Sequence, residues 1–134
     1  MKQTFCTILG LLGSALAAAF GGWDAALTAL VVCMAVDYLS GSIVALVFHK
    51  SNKSESGAYN STYGLKGLCK KCLMLLFVVV AVQADRLTGG EFVRDAVCIG
   101  FTTNEILSIV ENLGLAGIPM PQAVVKALEQ LQNS

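Results

Sequence analysis

From Ala25 to Phe48 the chain is apolar along its whole length apart from one carboxylate, Asp37, near the middle. A run of that length crosses the roughly 30 Å hydrocarbon core of a bilayer as a slightly tilted helix, and it is too long for a buried strand. Inside lipid every backbone N–H and C=O must be satisfied within the segment, which leaves the helix as its available form. Composition points the same way. Hydrophobic residues make up 55% and charged residues 13%, against a charged share of about 25% in soluble domains. This argues against an ordinary soluble enzyme, and the length allows one domain at most.

Three further runs share this character. The first, from Thr4 to about Gly22, is uncharged and ends at Gly21-Gly22-Trp23-Asp24. Lys2 and the small-residue run Ala15-Leu16-Ala17-Ala18-Ala19 also fit a secretory signal peptide; the expectation adopted is a retained helix. The third, Leu65 to Ala84, holds the densest apolar stretch, Leu73 to Val82, and stops at Asp85-Arg86. The fourth, about Glu91 to Leu113, carries Arg94, Asp95, Asn104, Glu105, Glu111 and Asn112, so hydropathy alone leaves its crossing open. Gly114, Gly117, Pro119 and Pro121 then break the helix. Beyond them a short amphipathic helix places Val124, Leu128 and Leu131 on one face, for a membrane surface or for the protein itself. The expected architecture is a single all-α membrane domain over 1–134. Its helices lie at about 4–22, 25–48, 65–84 and 91–113, with an amphipathic tail at 121–132. Four helices span the membrane, or three if the first or fourth does not.

Nine basic and nine acidic residues cancel, so no general electrostatic case for nucleic acid exists. Their placement is informative. Lys50, Lys53, Lys66, Lys70 and Lys71 gather around the polar His49–Tyr63 connection, whereas the first turn has no basic residue and Arg86 and Arg94 at the second are offset by acids. The positive-inside rule assigns this basic loop to the cytoplasm. With four spans, Lys2 and Lys126 fall on the same side, giving an N-in, C-in topology.

The five cysteines, Cys6, Cys33, Cys69, Cys72 and Cys98, are an odd set and mostly sit in apolar runs as packing residues. Cys69-Lys70-Lys71-Cys72 has redox-motif spacing but no second pair, no ligand histidine and no βαβ context; a helix boundary with snorkelling lysines accounts for it. His49, the sole histidine, reads as an interfacial or loop residue. No catalytic constellation, cofactor site or metal site can be assembled.

Small residues recur four apart at Gly10, Ser14 and Ala18 and at Gly13, Ala17 and Gly21. In the second run they recur at Ala25, Ala29, Cys33, Gly41 and Ala45, with Asp37 in the same row. Lipid provides no hydrophobic force between helices, so association depends on the close approach such rows permit. Gly10, Gly13, Ser14, Ala17, Gly21, Cys33, Gly41 and Ala45 are therefore candidate packing residues, within one monomer or between copies. Asp37 is costlier, at roughly 2.5–3.5 kcal/mol for a carboxylate at mid-bilayer. It requires a partner or water: Ser40, another helix, a lumen, an oligomer contact or a proton site. In the fourth run Asn104, Glu105, Ser108, Glu111 and Asn112 share one arc at about 100° per residue, opposite Ile99, Ile106, Leu107, Val110 and Leu113. With Asp37, these five are the candidate lining of a lumen or polar seam; the competing reading is a helix lying in the interface with its acids in water.

Asp37-Tyr38-Leu39-Ser40-Gly41, Ser61 to Gly64 with Lys66, the run Thr103 to Asn112, and Gly117-Ile118-Pro119 together resemble the toxin-secretion/phage-lysis holin family. The resemblance covers nearly the whole chain and is weakest in the first run. Its matched positions are Asp37, Gly41, Gly64, Lys66, Asn104, Glu105, Ser108, Glu111, Asn112 and Pro119. It implies a non-enzymatic phage or prophage protein that forms homo-oligomers in the bacterial inner membrane. Such a protein opens non-specific lesions that release an endolysin or toxin as unbound cargo. The rival class is a small multidrug or ion transporter using Asp37 as its intramembrane carboxylate; a structural membrane adaptor is a third.

Overall fold

The computed structural model describes residues 1–49 and 60–133. Lys50 and Lys53 of the expected basic loop lie outside the described residues. All regular structure among the described residues is helical: α1 (Lys2–Ala19), α2 (Ala25–Ile43), α3 (Ser61–Thr88), α4 (Phe92–Leu115) and α5 (Gln122–Asn133). The last turn of the second run, Val44–Phe48, widens to a π-helix that closes at His49 in the left-handed region, φ 51°. Two helical stretches, Lys2–Ala19 and Ala25–Phe48, are long and apolar enough to cross a membrane by length and composition.

Local chemistry sets the boundaries. Asp24 opens α2 by accepting the Leu27 N–H at 3.0 Å, and Asn60 opens α3 by accepting the Tyr63 N–H at 2.7 Å. The third helix therefore begins before its apolar stretch and reaches past Ala84. Gly89, at φ 73°, terminates it. The start of α4 is capped from outside its own sequence, because both Asp85 carboxylate oxygens accept backbone N–H groups, from Val93 at 3.0 Å and Arg94 at 2.9 Å. An anion over a helix N-terminus satisfies orphan donors and complements the helix dipole.

Helices α2, α3 and α4 form the bundle, α3 running antiparallel to the other two. One end, the turn end, holds the α1–α2 and α3–α4 turns; the other, the loop end, holds Phe48 and Ser61. The residues facing the bundle interior recur seven apart, the spacing of helices packed with a left-handed seam. In α2 they are Leu27, Met34 and Gly41 beside Leu30 and Asp37, continued by Val44 at the start of the π-helix; in α3 Gly64, Lys71, Val78 and Asp85; in α4 Cys98, Glu105 and Asn112. The interior is layered accordingly. Leu27, Leu30, Met34, Val78 and Cys98 form an apolar layer toward the turn end, bordered by the edge-on pair Phe77–Phe101 with ring centroids 5.9 Å apart. Asp37, Lys71, Glu105 and Asn112 form a polar layer toward the loop end.

The outer surface has the opposite polarity. Val32, Val36, Leu39, Ile43, Leu65, Leu68, Leu73, Leu76 and Val80 are exposed. Charge within and large aliphatic groups without is the arrangement of a bundle solvated by acyl chains. The tail helix α5 docks on α4 and buries Leu128, so in the monomer this amphipathic helix lies on its own protein.

No residue of α1 is buried. Its C-terminal end is tied to the bundle. Arg86 Nη2 donates to the Ala18 carbonyl at 2.9 Å, and the chain reverses through Gly21 and Gly22 at φ 79° and 100°. A Cβ at Gly10 or Gly13 would meet nothing within 4 Å. Within the monomer, then, the small rows of the first and second runs do not interlock.

Candidate functional site

The polar layer is built on one ammonium. Lys71 Nζ donates to Asp37 Oδ2 at 2.7 Å and to Glu105 Oε2 at 2.5 Å, with side-chain exposures of 14%, 7% and 7%. Asn112 Nδ2 completes it, donating to Asp37 Oδ1 at 3.1 Å and to Ser40 Oγ at 2.9 Å. Ser40 Oγ in turn donates to the Asp37 carbonyl at 3.1 Å. Each of the three helices contributes, and Lys71 lies 34 residues from both of its carboxylates. At 1.5 Å per residue Asp37 stands about 18 Å from Ala25 and about 16 Å from Phe48, near the middle of that helical stretch.

Taking one such ion out of water costs several kcal/mol even after relaxation, and the attraction between partners offsets this only with good geometry and satisfied remaining donors and acceptors. Here the ammonium has two carboxylate acceptors and Asp37 has two donors, so the layer is stable as a set. The same arithmetic makes it intolerant of losing one member.

Close backbone approach shapes the loop-end side. A Cβ on Gly41 would stand 2.8 Å from Tyr63 Oη and 3.4 Å from Asn112 Nδ2, so only glycine leaves room for both. Gly41 is thus a packing residue, and the groups it admits belong to the same monomer. Tyr38 Oη donates to the Gly64 carbonyl at 3.4 Å, joining α2 to α3 below the ion layer. Beside the layer lies a cavity of about 470 Å³ between the three helices, floored by Asp37, Lys71 and Glu105.

A second cluster clamps the turn end. Arg94, buried, donates from Nε to the Phe20 carbonyl at 2.8 Å and from Nη2 to the Gly22 carbonyl at 2.9 Å. Its Nη1 reaches Asp24 Oδ2 at 2.6 Å and Asp95 Oδ1 at 3.2 Å. The guanidinium, followed by the Leu27 N–H, holds the Asp24 carboxyl below its ordinary pKa. One side chain therefore ties the α1–α2 turn to the start of α4.

Of the expected lining residues, Asp37, Glu105 and Asn112 come together, whereas Asn104 and Ser108 line the cavity and Glu111 faces the surface. The arc read on α4 thus divides between seam and exterior. Of the expected packing residues, Gly41 and Ala45 are buried and Cys33 is half-buried; Gly10, Gly13 and Ser14 are exposed, Ala17 is half-buried, and Gly21 sits in the turn against Val82 and Arg94. Lys66, Lys70 and Lys71 are residues of α3, and Lys71 points into the bundle, because two buried carboxylates hold it there. Its spacing of seven from Gly64 and Val78 was the available signal. Arg94 was read only as a topological charge. Cys69 and Cys72 are exposed on α3 with free thiols.

A family model described as the bacteriophage holin family matches residues 14–133, leaving most of α1 outside the match. An uncharacterized protein of Clostridium perfringens strain 13 is 37% identical over 132 residues, spanning 96% of this chain and 92% of the relative. An uncharacterized 14.9 kDa protein in the nagH 3' region of Clostridium perfringens is 39% identical over 116 residues, spanning 85% and 82%. An uncharacterized Clostridium acetobutylicum protein is 36% identical over 116 residues, spanning 85% and 86%. No solved structure matches the chain.

Proposed function

The chain belongs to the bacteriophage holin family, a family of non-enzymatic membrane proteins, and from that premise we propose that it assembles in the bacterial inner membrane and opens lesions that release an endolysin or toxin. The observation that carries this reading is the buried Asp37–Lys71–Glu105 layer inside a bundle whose outer face is aliphatic. Acyl chains cannot satisfy an ammonium or a carboxylate. Helices that part along this seam in a membrane must therefore expose it to water or to the same groups of another copy. Parting in several adjoining copies produces a wall that is polar on one side and aliphatic on the other, which is what the edge of a water-filled lesion requires. The resting monomer keeps that wall closed by pairing it with itself.

Four spans with both termini inside is the topology that fits. The α1–α2 and α3–α4 turns are joined at one end by Arg94, and Lys66 and Lys70 mark the opposite end. The test is induced expression in cells holding a cytosolic reporter enzyme. Escape of the enzyme supports the proposal, whereas ion or drug flux without enzyme escape identifies a transporter, and neither identifies an adaptor.

A further inference from the structure

We propose that the cavity beside the ion layer binds the phosphate headgroup of an anionic phospholipid between Lys66 and Lys70; this rests on the membrane placement given above. The cavity's chemistry is graded along the bundle. Lys66 and Lys70, one helical turn apart on α3, line it and are both exposed. Neither makes an ion pair among the described residues. Deeper toward the turn end the wall becomes apolar and aromatic, with Met74 from α3 and Phe101 from α4, both half-buried.

A site with two cations near the start of a membrane helix and an apolar wall one turn further in suits an anionic head carrying an acyl chain. Basic pockets between membrane helices on the cytoplasmic side hold anionic headgroups in this manner. The floor reinforces the selection. Asp37 and Glu105 against Lys71 leave one formal negative charge, which repels a phosphate from the ion layer and keeps it at the two outer lysines. A zwitterionic lipid gains less, since its own cationic group opposes Lys66 and Lys70. The height agrees as well: at 1.5 Å per residue Lys66 and Lys70 stand about 8 Å and 14 Å into α3, within reach of the interface for a lysine that extends toward it.

The experiment uses the purified full chain in nanodiscs of phosphatidylcholine doped with phosphatidylglycerol, with bound lipid counted by native mass spectrometry. Wild type should retain phosphatidylglycerol over phosphatidylcholine. Lys66→Gln and Lys70→Gln should each weaken retention about fivefold, and together about twenty-five-fold, from the contribution of one basic residue near a membrane surface. Lys126→Gln, on α5 away from the cavity, should leave it unchanged. Equal retention by wild type and the double variant, an equal loss with Lys126→Gln, or retention of phosphatidylcholine as strong as that of phosphatidylglycerol overturns the proposal. Displacement of the lipid by millimolar inorganic phosphate would also overturn it, in favour of a soluble anion. Lipid retention is read on isolated protein, so its failure is separate from a failure to release the reporter enzyme in cells.

Discussion

Replacing Lys71 with methionine removes one ammonium, keeps an unbranched side chain one heavy atom shorter, and leaves Asp37 and Glu105 facing each other with side-chain exposures of 7% each. Breaking a buried pair by deleting one partner destabilises by about 3–5 kcal/mol, because a charge is left without compensation. At about 1.4 kcal/mol per factor of ten, that is roughly a hundred- to several-thousandfold in the folding equilibrium. Two carboxylates lose their shared cation here, so the upper part of that range is expected. The assay is reversible unfolding of the purified protein in mixed micelles, followed by helical circular dichroism, with Lys66→Met as the control for losing an exposed lysine. Neutralising the whole layer, as Lys71→Met with Asp37→Asn and Glu105→Gln, removes the uncompensated charge and should recover most of the loss. If Lys71→Met unfolds with the same midpoint as Lys66→Met, the layer is not a buried ion cluster. If the triple variant is no better than the single one, the loss comes from packing and the electrostatic reasoning is refuted. In cells the single variant should open lesions early, since its seam no longer closes on itself.

At the turn end the Asp24 carboxyl titrates below its ordinary value of 3.8 in the folded chain. A depressed carboxylate stabilises fully above the unfolded pKa and loses that contribution as pH falls through the folded one. Wild type should therefore lose midpoint stability relative to Asp24→Asn only below about pH 4. Gly41→Leu should impair folding of the monomer, since even a Cβ there meets Tyr63 Oη at 2.8 Å, whereas Gly10→Leu and Gly13→Leu should spare the fold and weaken crosslinked ladders if α1 joins copies. Unchanged ladders would move the interface elsewhere. In a cysteine-free background Asn104→Cys should react with a hydrophilic thiol reagent before lesions open. Cys98, buried in the seam and kept as the single native cysteine, should react only afterwards, and its reaction at rest would refute the closed seam. Ser56, outside the described residues, tests topology: Ser56→Cys should be labelled by an impermeant reagent only after the inner membrane is breached.

Hydropathy and helical period are properties of consecutive residues, and what they govern was legible in the chain. The uncharged run before Gly21, the long run centred on Asp37, the aliphatic stretch Leu73–Val82 and the breakers Gly114 to Pro121 point to an all-helical chain, and the cost of a mid-membrane carboxylate showed that Asp37 needs a partner. Asn112 and Glu105 stood on one arc of α4 for the same reason. The identity of the partner was not legible. Lys71 follows Lys70 near a polar connection, where windowed hydropathy reads both as interfacial, and only their surroundings separate them: Lys70 is exposed beside the cavity, Lys71 is held by two buried carboxylates. Arg94 is a similar case, since its carbonyl acceptors at Phe20 and Gly22 are 74 and 72 residues away. Conversely, the row Ala25, Ala29, Cys33 appeared suited to close approach, yet the interior follows Leu27, Leu30 and Met34, and Ala25 and Ala29 face outward. A spacing of four drifts around a helix, whereas a bundle seam selects positions seven apart. Which charges meet depends on the register of three helices brought together. In a low-dielectric interior that meeting alone decides whether a buried ion is a fault or a lock.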